Sequence, residues 1–249
     1  MPPYLFSTLR VYILYFYSFV VANGEIYNHK ELRTELGITN EELTTDSDSE
    51  IIIHGYKKLG NEICTKLIGM FGFVLITESG DVLACRDKVG IKPLYMGKSK
   101  DGSEMLFSSE LKGIVDQCHV EDLILVPAGH YWTRETGLVD YYQPEWDCDG
   151  YSDKFAAEPE LNQNYTNGHT NGHHANGNVE DHETSNDAKK PAFKTEEDCK
   201  AVLETAVIRR CMADVEIGLL LSGGLDSSIL GALMTQPHIK KHLTGLLTA

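Results

Sequence analysis

Residues 217–228 constrain the fold more than any other stretch of the chain. Ile217 to Leu221 is an apolar run broken once by Gly218, the pattern of a strand buried in a parallel sheet. Ser222-Gly223-Gly224 then makes a small turn, and Asp226 opens an apolar-periodic segment (Ile229, Leu230, Leu233, Met234) that predicts a helix. Strand, glycine turn and helix N-terminus together form an anion site. The glycines let backbone N–H groups approach, the serine hydroxyls add donors, and the helix dipole favours negative charge. No Gly-Lys-Ser/Thr follows the glycines, which excludes a Walker A loop, and the spacing excludes a dinucleotide fingerprint.

What surrounds this unit is set by composition. The chain has 249 residues, enough for one large domain or two small ones, and 42% hydrophobic residues supply a sizeable core. A net charge of −15 argues against a nucleic-acid or anionic-membrane partner, which would call for basic patches. The six cysteines (Cys64, Cys85, Cys118, Cys148, Cys199, Cys211) have neither C-x-x-C nor zinc spacing and read as reduced thiols of a cytoplasmic protein.

One segment stands apart. Residues 147–190 repeat Asn-Gly at Asn167, Asn171 and Asn176 and contain almost no large apolar side chains. From Glu145 to Lys190 there are ten acidic against three basic residues. Such a stretch cannot bury enough apolar surface to offset its ordering entropy, so a disordered linker is expected. His169, His173, His174 and His182 within it could bind a metal only weakly, and Asn164-Tyr165-Thr166 is a sequon only in a secreted chain.

At the other end, Val11 to Ala22 is a continuous apolar and aromatic run after Arg10. It falls short of the ~20 apolar residues that span a bilayer. Val20-Val21-Ala22 could end a secretory signal, giving a secreted or membrane-tethered alternative, but a buried strand over Phe19–Ala22 feeding a turn at Asn23-Gly24 is preferred. Residues 1–18 do not fit the rest. Asn28 is placed to cap a short helix carrying Leu32 and Leu36. Thr45-Asp46-Ser47-Asp48-Ser49-Glu50 begins a second helix (Ile51 to Leu59) stopped at Gly60; Asp48 there either caps the helix or binds a ligand.

Further on, hairpins are expected about Glu78-Ser79-Gly80, Asp101-Gly102 and Thr136-Gly137, and a short helix near Ser109. Arg86 and Asp87 read as structural rather than catalytic, and an ion pair between them is one form that role could take. Thr195 caps a helix with an acidic first turn, and Val202, Leu203, Ala206, Val207 and Met212 are expected to line its packed face. Thr244 to Ala249 could begin another strand.

Four of these phrases carry a family resemblance. Ser-Gly-Gly-Leu-Asp-Ser-Ser (222–228) resembles the pyrophosphate loop of the ATP pyrophosphatase superfamily. Asn-Gly-Glu-Ile-Tyr-Asn (23–28), the Ser-Asp-x-Glu at 47–50 and Arg-Asp-x-x-Gly-x-x-Pro-Leu-Tyr (86–95) are similar to class II, Ntn-type glutamine amidotransferases. Both together resemble the glutamine-hydrolysing asparagine synthetases. That resemblance implies an α+β fold, a partial αββα sandwich of antiparallel sheets, followed by the start of an α/β parallel-sheet domain. It divides the chain into a non-family segment (1–18), a partial glutaminase domain (19–146), the linker (147–190) and a synthetase stub (191–249).

The family makes L-asparagine from L-aspartate, L-glutamine and ATP with Mg2+, releasing AMP and pyrophosphate. By resemblance, Asn23 and Gly24 form the oxyanion hole, with Glu25 and Asp48 completing the glutamine site. Leu220, Ser222, Gly223, Gly224, Leu225, Asp226, Ser227 and Ser228 would hold ATP. The family's nucleophile is a cysteine at the mature N-terminus, whereas here no cysteine precedes Cys64 and the Arg-Leu-x-Ile-Val-Asp phrase is absent. No catalytic residue and no metal ligand is assigned, and the expectation is an inactive fragment. The alternatives are a non-enzymatic or membrane-tethered regulatory product, or a β-lactam synthetase relative. Homo-oligomerisation, or pairing with a full-length subunit, is the expected assembly.

Overall fold

The computed structural model describes residues 11–15, 18–144, 195–213 and 215–242. The linker with its histidines and sequon, and the strand expected from Thr244, lie outside these. Met1–Gln143 and Thr195–Ala249 make one compact unit and Pro144–Lys194 another.

The first unit is built on a six-stranded antiparallel sheet in the order β1-β2-β3-β4-β8-β9. Its strands are β1 (Val11–Tyr15), β2 (Ser18–Ile26), β3 (Gly69–Ile76), β4 (Val82–Arg86), β8 (His130–Thr133) and β9 (Gly137–Asp140). A second antiparallel sheet, β6-β5-β7, comprises β5 (Tyr95–Lys98), β6 (Met105–Ser108) and β7 (Ile124–Leu125). The hairpins expected about Ser79-Gly80, Asp101-Gly102 and Thr136-Gly137 join β3 to β4, β5 to β6 and β8 to β9. Near Ser109 the helix is only a single 3-10 turn, Leu111–Gly113.

Period-two alternation decides which face of the long sheet is covered by what. Ser18, Val20, Ala22 and Ile26 of β2 are buried, while Phe19, Val21 and Glu25 between them are exposed. The buried apolar residues join Phe71, Phe73, Leu75, Leu83 and Cys85 in the main core. Helices cover that face: α1 (His29–Glu35), α2 (Glu50–Leu59) and α3 (Ile63–Lys66). Ile51, Ile52 and Ile53 of α2 are at most 1% exposed. On the opposite face Ala84 packs with Met96 of the second sheet and with Leu94 and Val126, which flank its strands. There the Phe107 and Trp132 rings lie 5.3 Å apart. The layers are therefore helix, sheet, sheet, all antiparallel, the α+β class the resemblance implies.

Three local expectations are corrected. Residues 11–15 do fit: they form β1, paired with β2 from Val11–Ala22 to Tyr15–Ser18. The strand does not turn at Asn23-Gly24 but runs on to Ile26, paired with β3 as far as Gly69. Asn28 precedes α1 without capping it; its amide instead bridges to the 66–68 segment, donating to Lys66 O and accepting from Ile68 N, both at 2.9 Å.

Residues 195–242 contribute α4 (Glu196–Arg210), α5 (Leu225–Met234) and α6 (Pro237–Lys240). Thr195 caps α4, accepting from Asp198 N at 3.2 Å. The packed face of α4 differs from expectation. Val207 and Cys211 are buried with Leu233, Met234 and Ile239, whereas Val202 and Leu203 are exposed. Ile217 and Leu219 lie against this small cluster, but the run 217–221 carries only a single bridge residue, Gly218, not a strand. A strand exists only with a neighbour to complete its ladder, and the described residues supply none beside it. None of the described helices is long and apolar enough to cross a membrane.

Candidate functional site

The glutamine-site candidates lie on two elements that the fold brings together. Asn23, Gly24 and Glu25 are in β2, paired with Gly72, Phe71 and Met70 of β3. Gly24 has φ +136°, and a Cβ there would sit 1.8 Å from Met70 O. Only glycine fits this place, because both the backbone conformation and the approach of β3 exclude a side chain. Asp48 arrives from the loop before α2, 22 residues away in sequence from Ile26, and its Oδ2 accepts the Ile26 N–H. Its Oδ1 lies 3.3 Å from the Ser49 hydroxyl. A carboxylate has about four acceptor positions, so Asp48 retains capacity for a further donor at the end of the Asn23–Glu25 segment.

Sequence reasoning passed over the residue that holds this loop. Glu50, fully buried at the start of α2, accepts from Thr44 N (2.7 Å), Thr45 N (2.8 Å) and the Thr45 hydroxyl (2.8 Å). His54 Nε2 lies 3.3 Å from its other side. Burial pushes the Glu50 carboxyl up, but the donors from Thr44, Thr45 and His54 outweigh it and hold the group below its ordinary value. The glutamate was legible as part of Ser-Asp-x-Glu; that it would be buried was not.

Arg86 and Asp87 are structural, as expected, but not by pairing with each other. Asp87 is fully buried and accepts five backbone N–H groups, from Phe71, Val89, Gly90, Ile91 and Lys92, at 2.7–3.1 Å. Arg86 donates to three carbonyls, Lys92 O (2.8 Å), Val126 O (2.7 Å) and Gly90 O (2.6 Å). Burial lowers the Arg86 guanidinium from its ordinary value. The two side chains thus fold the 88–92 loop around themselves, each satisfied by backbone.

Cysteines offer little nucleophilic chemistry here. Among the described residues Cys64, Cys85, Cys118 and Cys211 are buried and Cys199 is exposed. Burial, with Cys64 alongside, pushes the Cys85 thiol well up, the reverse of what a thiolate nucleophile needs.

The anion-loop candidates fold as a local unit. Gly223 has φ +78° with open space where a Cβ would go, so conformation alone selects glycine there. Gly224 stands at the N-cap of α5, which starts one residue before Asp226. The hydroxyls of Ser222 and Ser227 are 3.0 Å apart, and Ser227 and Ser228 donate to Gly224 O at 3.1 and 2.8 Å. Ser222 to Asp226 are exposed, as are Leu220 (94%) and Leu225 (76%). Exposed N–H groups at the start of a ten-residue helix, beside three hydroxyls, suit an anion. Among the described residues no three His, Cys, Asp or Glu side chains converge as metal ligands.

Two family models match the chain. One, described as a glutamine amidotransferase domain, covers residues 15–132, and the other, described as asparagine synthase, covers residues 198–244. Over 219 residues the chain is 37% identical to an asparagine synthetase [glutamine-hydrolyzing] of Zea mays, covering 87% of this chain and 30% of that one. Asparagine synthetase [glutamine-hydrolyzing] 2 of Arabidopsis thaliana is 37% identical over 224 residues, covering 89% and 31%. A solved glutamine phosphoribosylpyrophosphate amidotransferase from B. subtilis superposes on 55% of this chain and 32% of its own, with TM-score 0.43 and 20% identity. The chain spans about a third of the length of the curated relatives it matches.

Proposed function

We infer the function of this chain, a relative of the glutamine-hydrolysing asparagine synthetases along both of its matched segments, to be substrate recognition within that type of ligase. The parent reaction takes L-glutamine, L-aspartate and Mg2+-ATP to L-asparagine, with AMP and pyrophosphate released. Two recognition elements divide the chain: a glutaminase part (19–146) and a synthetase part (191–249), joined by the linker 147–190. In the first, Asn23 and the Gly24 N–H polarise the glutamine carboxamide. Donors preorganised where an oxyanion develops are what acyl transfer requires. Glu25 and Asp48 hold the amino-acid end, with Asp48 taking the α-ammonium group. In the second, Ser222 to Ser228 hold the ATP phosphates and Leu220 lies against the adenine ring. A cytoplasmic protein acting with a second subunit suits these roles.

The observation that carries the reading is the hydrogen bond from Ile26 N to Asp48. It ties the acidic loop to the strand bearing Asn23-Gly24-Glu25, so the groups needed for the two ends of one amino acid share a site. The buried thiols supply no matching nucleophile, so recognition of glutamine, not its cleavage, is assigned to these residues.

Titration calorimetry of the full chain tests this directly. L-Glutamine is expected to bind saturably and Asp48→Asn to weaken it by about tenfold or more, the scale of a lost charge-assisted hydrogen bond. Absence of saturable binding, or equal binding by Asp48→Asn, would overturn the assignment.

A further inference from the structure

A cavity of about 610 Å³ opens between the Tyr27 end of β2, the loop that follows Asp87, and α4. Pockets that hold small ligands run to ~300–1,000 Å³, mostly apolar with a few placed polar groups. This one is largely aliphatic and aromatic, yet Lys88, Arg209 and Arg210 line it and no carboxylate does. In a chain of net charge −15, three cations around one concavity without an acid among them is a local reversal of sign.

The cations are not spent on ion pairs among the described residues, whose salt bridges involve other side chains. Arg210 instead stands over the Tyr27 ring, 5.3 Å from its centre, and Lys88 stands 5.3 Å from the centre of the Tyr142 ring. Lys88 also donates to Thr65 O at 3.0 Å, and burial lowers its ammonium group from the ordinary value. A counter-charge in the cavity would reverse that shift.

The second observation is independent of charge. The Tyr27 hydroxyl, on a side chain lining the same cavity, is buried and has no hydrogen-bond partner among the described residues. Leaving such a group unpaired costs about 1–3 kcal/mol, and buried polar groups without partners are rare in folded proteins. A ligand oxygen accepting from it would satisfy the orphan donor.

We propose that this cavity binds a small organic carboxylate with an apolar body: the carboxylate is taken by Arg209, Arg210 and Lys88, an oxygen of the ligand accepts from Tyr27 Oη, and the body lies on the Phe71 side. The site is distinct from the Asp48 carboxylate that serves the glutamine reading. It is also distinct from the serine loop before α5.

The test titrates 4-phenylbutyrate into the full chain, followed by saturation-transfer NMR, with 4-phenylbutan-1-ol as the neutral comparator. Saturable binding of the acid is expected, about tenfold or more tighter than the alcohol and weakened by salt. The double variant Arg209→Gln/Arg210→Gln should lose about tenfold or more. Tyr27→Phe, which keeps the ring and removes the hydroxyl, should lose about threefold or more. Asp48→Asn should leave this binding unchanged, which keeps it separable from the glutamine result. Both arginines are exposed, so the double variant is expected to fold, and circular dichroism checks it; Tyr27→Phe carries the test if it does not. Equal binding of acid and alcohol, no saturable binding of the acid below about 10 mM, or parent-like affinity in the Tyr27 and arginine variants would overturn the proposal.

Discussion

Residues 18–142 and residues 195–242 carry motifs of equal sharpness but build them in opposite ways. In the first region the candidate groups exist only because distant segments meet: Gly24 against Met70 of β3 and Asp48 against Ile26. Sixteen residues in its main core are buried at 8% exposure or less. In the second, the serine loop closes on itself through Ser222, Ser227, Ser228 and Gly224, over a cluster of five buried residues. A site made of local hydrogen bonds needs little burial to hold its shape. A site assembled across a sheet inherits the stability of the whole sheet.

That contrast can be broken by mutation, and the largest effect should come from Asp87→Ala. It takes the side-chain acceptor from five backbone N–H groups, and about 4 kcal/mol or more of stability should go. Denaturant unfolding followed by Trp132 fluorescence would measure it; a loss under about 1 kcal/mol would deny Asp87 its organising role. Gly24→Ala comes next, at about 3 kcal/mol, because its Cβ meets backbone that can shift only with β3. The matched change Gly223→Ala also requires positive φ but meets open space, so about 1 kcal/mol is expected. Equal costs at the two glycines would erase the distinction between the regions.

Acid should sharpen it further. Because the folded-state value of Glu50 is depressed, its stabilisation is present above the unfolded carboxylate value, ~4.3, and is lost as pH falls through the folded one. Unfolding midpoints measured from pH 6 to pH 3 should therefore fall less steeply in Glu50→Gln than in the parent. Parallel slopes would remove Glu50 from the account. The smallest effect is expected at Leu220→Ser: the side chain is 94% exposed, so stability should change by no more than about 0.5 kcal/mol.

Strands and hairpins of the first region, and helices in both, were readable because their signals are short-range, whereas the run 217–221 reads as a strand and carries only one bridge residue. Ser79-Gly80 and Asp101-Gly102 sit between alternating apolar runs, and Thr195 stands before three acids. The errors came where a neighbour decides the outcome. Asn23-Gly24 reads as a turn, yet β3 pairs with it on one side and holds it extended. Asn28 reads as a cap, yet the 66–68 segment takes its amide. Val202 and Leu203 read as core, yet the partners of α4 lie on the Val207–Cys211 side. Of the candidate sites, the serine loop was legible down to its glycines. At the proposed glutamine site the residue types were legible but not the contact between Asp48 and β2, nor the burial of Glu50.

By itself the sequence determined the local chemistry: the glycine turn before α5, the alternation of β2, the acids ahead of α2, and the family phrases at 23–28, 86–95 and 222–228. The tertiary structure alone decided which of those groups share a site. A residue's backbone preferences depend on its immediate neighbours, while its burial and its hydrogen-bond partners depend on segments tens of residues away. Arg86 and Asp87 are adjacent in the chain, yet each is satisfied by a carbonyl or an N–H that only folding delivers.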